Sequence, residues 1–130
     1  MTYVWIGLGA ALGANLRYLA GRAIAEWLGV GFPWGTLTIN VTGSFLIGVI
    51  ATLLGERLDV GPEWRLFLVV GVLGGYTTFS TFSLDAINLF SSGGGADRWL
   101  AGIAYILASI LLGLAACILG IMLVRSDLLG

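Results

Sequence analysis

Gly74-Gly75-Tyr76-Thr77-Thr78-Phe79-Ser80-Thr81-Phe82-Ser83 lies inside a segment, Trp64 to about Phe90, that is apolar until it reaches Gly74. Paired glycines followed by hydroxyls, with Asp85 two residues beyond, do not suit one uninterrupted lipid-facing helix. At bilayer depth each polar group needs a partner in the protein or a water-filled path. The stretch therefore predicts a helix broken near 75–78, with backbone exposed at the break.

Working outward, the chain supplies three more apolar segments of membrane-spanning length, at about Tyr3–Leu28, Trp34–Leu54 and Trp99–Val124, with Arg125 and Asp127 marking the exit to water. Gly29, Gly31 and Pro33, then the charged group Glu56, Arg57 and Asp59 before Pro62, then Gly93-Gly94-Gly95, punctuate the connections. Of 130 residues, 58% are hydrophobic and 10% charged, and mean hydropathy is +1.02. Such a composition asks for a membrane as solvent. Each crossing of about 30 Å takes about 20 helical residues, so four crossings use the chain and leave no separate soluble domain. The expected fold is an all-α membrane protein, one domain over 1–130, with transmembrane helices at about 3–28, 34–54, 64–90 and 99–124. The apolar start at Val4 lacks the basic run and cleavage site of a secretory leader, so the first helix is expected to be retained.

Every basic residue is an arginine, and His is absent. No basic run suggests nucleic acid. With four crossings, Arg57, Arg65 and Arg125 share one side, while Arg17, Arg22 and Arg98 share the other. Three against three leaves the positive-inside rule almost nothing to act on. Insertion both ways round, and an antiparallel dimer, follow from that balance; an arginine too deep to count would instead fix one orientation.

Helix two sets Thr36, Asn40 and Ser44 on one stripe with Gly43 beside it, and helix four repeats the spacing with Tyr105, Ser109 and Gly113. Such stripes either line a polar path or clasp helices by hydrogen bonds. Gly9 with Gly13 and Gly71 with Gly75 form GxxxG pairs, for which close packing is a sufficient reason. Phe79 and Phe82 share a face if helix resumes after the break. Their rings either pack in an interface or flank a passage, attracting an anion at the edge or a cation at the face. Catalysis lacks its groups: there is no His, the lone Cys117 has no base partner, and no paired carboxylates or phosphate-binding glycine loop occur. One cysteine builds neither an intrachain disulfide nor a thiolate metal cluster. The chain is not expected to be an enzyme.

Taken together, these residues resemble one family, the small bacterial fluoride channels called Fluc or CrcB. The likeness covers nearly the whole chain. It rests on Gly7 to Tyr18, with Gly9, Gly13, Arg17 and Tyr18; on Gly35-Thr36-Leu37-Thr38-Ile39-Asn40-Val41-Thr42-Gly43-Ser44-Phe45; and on Gly71 to Ser83, the most specific stretch. The resemblance implies passive fluoride-selective conduction by an antiparallel, dual-topology homodimer with two pores in the bacterial cytoplasmic (inner) membrane. It implies that Phe79 and Phe82 line the ion path edge-on and that Asn40 is the pore asparagine. Thr36, Ser80 and Thr81 match hydroxyl contributors, and Tyr105 and Ser109 a polar track. The backbone carbonyls of Gly74 and Thr77 resemble those that hold a structural sodium ion on the dimer axis. Arg17 matches an arginine near the aqueous entrance. Asp85 falls where some members carry a vestibule glutamate, and its shorter reach leaves its role open.

The physics agrees with this assignment. Fluoride is small and strongly hydrated, so a site that accepts it must replace lost water with donors and positive dipole ends. Two rivals differ in what they require. A small proton-coupled multidrug antiporter needs an ionisable carboxylate in mid-helix, whereas Glu26 and Asp85 read as lying toward helix ends. A non-transporting membrane scaffold needs no paired hydroxyl stripes and no broken helix.

Overall fold

The computed structural model describes residues 1–126, so Asp127 lies outside the described residues. Those residues are all-helical, with no strand among them. Helix α1 is Thr2–Leu28, and α2, Trp34–Thr52, continues through a wider π turn, Leu53–Arg57. Helix α3, Pro62–Arg65, runs into a π-helical stretch, Leu66–Leu73, and then α4, Gly74–Tyr76. Helix α5 is Phe79–Ser91 and α6 is Ala96–Arg125.

Three spans, Trp34–Arg57, Pro62–Ser91 and Ala96–Arg125, are long and apolar enough to cross a membrane, with mean hydropathies of 1.9, 1.5 and 2.7. Helix α1 has the length, 27 residues, but Asn15, Arg17, Arg22 and Glu26 dilute its apolar character. Three of the four expected spans therefore meet both requirements. The surface is that of a lipid-solvated protein. Leu8, Leu12, Leu84, Ile87, Leu111, Leu114 and Ile118 are exposed, while the buried apolar core is confined to small groups such as Leu37, Ala86, Leu89 and Tyr105.

Glycine permits the two closest helix contacts. Helix α1 packs on the π-helical stretch, and a Cβ at Gly13 would overlap the Val72 carbonyl, while one at Gly9 would stand 2.9 Å from the Gly71 Cα. Helix α2 packs on α6, where Gly48 meets the Cys117 carbonyl and Gly120 meets that of Phe45. Small residues that let backbones approach are the usual currency of helix association in lipid, where no hydrophobic effect separates one apolar side chain from another.

The second span runs past its expected end near Leu54 because its last residues grip α6. Arg57 Nη2 donates to the Val124 carbonyl at 3.1 Å, and Arg125 Nη2 pairs with Glu56 Oε1 at 2.6 Å. A cation on the otherwise unpartnered carbonyls of a helix C-terminus is favourable. At the other end, α6 begins at Ala96, ahead of the expected Trp99, directly after Gly95 with its φ of 69°.

Between α4 and α5 the backbone is extended, with φ/ψ of -80°/157° at Thr77 and -151°/115° at Thr78. Asn40 on α2 meets this pair edge to edge. Its Oδ1 accepts from Thr78 N–H at 2.8 Å and its Nδ2 donates to the Thr78 carbonyl at 3.0 Å. Thr78 Oγ1 then accepts from Thr81 N–H at 3.2 Å, capping α5.

Two outcomes follow. Gly13→Ala should destabilise the protein by about 1–3 kcal/mol, the usual cost of overpacking, whereas Gly7→Ala, which lies inside α1 and meets nothing within 4 Å, should stabilise it by about 0.5–1 kcal/mol through helix propensity; detergent thermal unfolding of both reads the difference. Asn40→Ala strands the Thr78 N–H and carbonyl and should cost about 1–3 kcal/mol per group left unpaired. Asn40→Asp keeps an acceptor for the N–H and should lose less stability in the same assay.

Candidate functional site

Two cavities meet at the extended pair. The first, about 390 Å³, is lined by Asn40, Ser44, Gly74, Thr77, Thr78, Phe79, Phe82 and Ser109, and carries no ionisable side chain. The second, about 560 Å³, is lined by Arg17, Tyr18, Arg22, Thr36, Thr81 and Asp85 among others. Thr78 lines both. The residues singled out in the sequence are thus divided by the clasp: Asn40, Gly74, Thr77, Phe79, Phe82 and Ser109 on one side, Arg17, Thr36, Thr81 and Asp85 on the other. Ser80 and Tyr105 line neither of these cavities.

Phe79 is 79% exposed on this chain, while Phe82 is half-buried against the core around Tyr105. Their ring centroids are 5.6 Å apart with planes tilted by 44°. The stack continues from Phe82 to Tyr105 at 5.3 Å and from Tyr105 to Phe32 at 5.6 Å, the last pair edge to face. Phe32 was not among the residues anticipated. Its only signal is an aromatic placed between Gly31 and Pro33 in a connection, where packing on a neighbour is not readable from spacing.

The stripes on α2 and α6 converge on a carboxylate. Thr36 Oγ1 donates to Asp85 Oδ2 at 2.7 Å, and the fully buried Tyr105 OH donates to the same oxygen at 3.3 Å. Asp85, expected toward a helix end, stands six residues before Ser91, the end of the third span, and so midway along α5. The hydroxyls of Thr36 and Tyr105 are therefore committed to a protein acceptor. Ser109 Oγ is the reverse case, buried and without a hydrogen-bond partner among the described residues; such a group is costly unless something else satisfies it. Ser80 is exposed, with its Oγ 3.4 Å from Thr78 Oγ1.

The donors near Gly74 and Thr77 suit a hard cation. Thr78 N–H turns to Asn40 rather than to the Gly74 carbonyl four residues back, which releases that oxygen. No group of three His, Cys, Asp or Glu that could hold a metal occurs among the described residues. What remains is an oxygen set of carbonyls and hydroxyls, the kind hard ions prefer.

Comparison with known proteins gives the family of the chain. Residues 4–121 match the family described as CrcB-like protein, Camphor Resistance (CrcB). A protein of Rhizobium meliloti (strain 1021) named fluoride-specific ion channel FluC is 50% identical over 121 residues, covering 93% of this chain and 94% of its own. One of the same name from Nitrobacter winogradskyi is 50% identical over 120 residues, covering 92% of each. Another, from Magnetococcus marinus, is 42% identical over 125 residues, covering 96% of this chain and 98% of its own. With 118 of 130 residues matched (4 through 121) and half of them shared with relatives of the same length, this chain belongs to the CrcB-like family.

Proposed function

We propose that this chain forms a passive fluoride-selective ion channel of a bacterial cytoplasmic (inner) membrane, acting as an antiparallel, dual-topology homodimer with all four helical segments crossing the bilayer. The name borne by its full-length relatives supports fluoride. The observation that carries the mechanism is the cavity at the Asn40–Thr78 clasp, whose lining has no ionisable side chain and offers neutral polar groups and phenyl rings. The two extended residues act as a break within the third span, so backbone dipoles and not fixed charges face the path. An anion entering such a site loses water and regains hydrogen bonds, while an ionised carboxylate there would repel it. An antiporter would want its carboxylate in that cavity. The nearest one, Asp85, lies on the far side of the clasp, already holding two hydroxyls.

The homodimer is supported by the open flank of the cavity. Phe79 lies bare on the surface of the single chain, and a second copy, inverted, would wall the path that one chain leaves open. Within each path Phe79 and Phe82 present polarised ring edges, Asn40 clasps the break with its Oδ1 and one N–H and offers its remaining N–H to the ion, and Ser109 supplies its unspent hydroxyl. Thr36, Ser80, Thr81 and Tyr105 frame the approach, with Arg17 and Asp85 at the vestibule. Gly74 and Thr77 carbonyls would hold a structural sodium ion at the dimer axis, and that ion would supply a fixed positive field favouring an anion nearby.

Efflux from liposomes loaded with fluoride or chloride, read by ion-selective electrodes after adding a potassium ionophore, tests the reading. Fluoride should leave and chloride should stay; equal release of both, or of neither from inserted protein, overturns it. Phe82→Ile should keep the dimer assembled and lower the fluoride rate by about tenfold, equivalent to about 1.4 kcal/mol, within the range of about 0.5–1.5 kcal/mol for aromatic edge contacts. Phe79→Ile should act in the same direction. Unchanged rates in both would remove the rings from the path.

A further inference from the structure

A third cavity, about 250 Å³, lies against the other face of the connection between α1 and α2, and is lined by Gly31, Asp85, Asn88, Ser92 and Arg98 among others. Val30, Pro33 and Asp85 line both this cavity and the one that holds Arg17. The 29–33 connection therefore stands between two separate mouths that reach the same carboxylate.

Arg98 holds that arrangement. Its Nη1 donates to the Gly31 carbonyl at 3.1 Å and its Nε donates to Ser92 Oγ at 2.6 Å. Ser92 Oγ in turn donates to the Leu89 carbonyl at 3.1 Å. All these acceptors are neutral, and Arg98 forms no ion pair among the described residues, whose pairs are Arg22–Glu26 and Arg125–Glu56. A full positive charge thus stays uncompensated at the rim of a polar cleft whose inner end is a carboxylate. Left alone, that carboxylate would repel an approaching anion. A cation at the mouth offsets that repulsion and raises the local concentration of anions where they enter.

We propose that this cavity is a second entrance to the Asp85 vestibule and that Arg98 captures small monovalent anions there. The inference rests on the channel reading above and adds to it a second mouth and the residue that serves it. The charge does the capturing; the hydrogen bonds to Gly31 and Ser92 position it.

Fluoride conductance across planar bilayers, at fixed fluoride and at ionic strengths of about 0.01 M and about 1 M set with an impermeant sulfonate salt, separates charge from scaffold, because the screening length falls from about 30 Å to about 3 Å. Arg98→Gln should lower the low-salt conductance by about threefold or more and match wild type at high salt, where its current also shows that the variant is folded. Arg98→Glu should lose more at low salt, and Arg98→Lys, which keeps the charge and loses the fork, should stay near wild type. Arg98→Gln equal to wild type at low salt, an equal loss at both ionic strengths, or Arg98→Lys failing as Arg98→Gln does would each overturn the proposal. A wild-type protein that passes no fluoride overturns the channel reading itself, and this inference with it.

Discussion

One side chain amide lets the backbone leave helical geometry inside an apolar protein. An unpaired N–H or carbonyl in hydrocarbon costs several kcal/mol, and the extended residues Thr77 and Thr78 create such groups where helix would have consumed them. Asn40 carries one acceptor and two donors in a plane, so it meets the Thr78 peptide as a neighbouring strand would, taking the N–H and serving the carbonyl. Much of the surrounding architecture positions that amide. Gly43, one turn along α2, has no Cβ to collide with Thr77 and Tyr76. Gly75 lets α1 come close behind the break, where a Cβ would stand 3.0 Å from the Ala10 Cα. Thr78, freed from helical dihedrals, caps the helix that follows.

The charged groups are arranged around this neutral centre and not within it. At one end of the bundle Glu56, Arg57 and Arg125 are spent on each other and on the last carbonyls of α6, tying the second span to the last. At the other, Arg17, Arg22, Asp85 and Arg98 border the two cavities that lead inward. A strongly hydrated ion would pass from charged mouths, where its water is retained, to an uncharged constriction where donors replace that water. The order matters because a cationic side chain in direct contact with the ion in the constriction would bind it too tightly to release it, whereas one at the rim only raises its local concentration.

The helical spans were legible because apolar runs and Gly or Pro punctuation are local signals, and Trp34, Pro62 and Gly95 mark their starts within a few residues. The polar stretch from Gly74 was legible for the same reason: hydroxyls and paired glycines conflict with lipid. Partners were not. Four-residue spacing placed Thr36 with Asn40 and Tyr105 with Ser109, but it could not reveal that Thr36 and Tyr105 both turn to Asp85, or that Asn40 serves Thr78. Those contacts cross between elements distant in sequence, and a helix stripe specifies a face, not what covers it. Helix α1 is the least apolar of the four segments, since Asn15, Arg17 and Arg22 weigh more in a transfer average than their number suggests. The grip of Arg57 on α6 carried a run of charged residues into helix, which composition alone reads as an end.

How the donors are spent narrows what can discriminate one anion from another. A stripe of hydroxyls in the sequence reads as a generous supply, yet the hydroxyls of Thr36 and Tyr105 are held by a carboxylate, that of Thr78 is directed to Thr81 Oγ1, and that of Thr77 donates to the Leu73 carbonyl. In the uncharged cavity the uncommitted donors come down to the second N–H of Asn40, the hydroxyls of Ser44 and Ser109 and the ring edges of Phe79 and Phe82. Fluoride gives up the strongest hydration of the halides, so these few donors can repay it only at close range. Selectivity for a small halide then has to come from proximity and path width: the donors repay an ion compact enough to reach each of them at full hydrogen-bond strength, and a narrow path excludes a larger one, whose dehydration costs less.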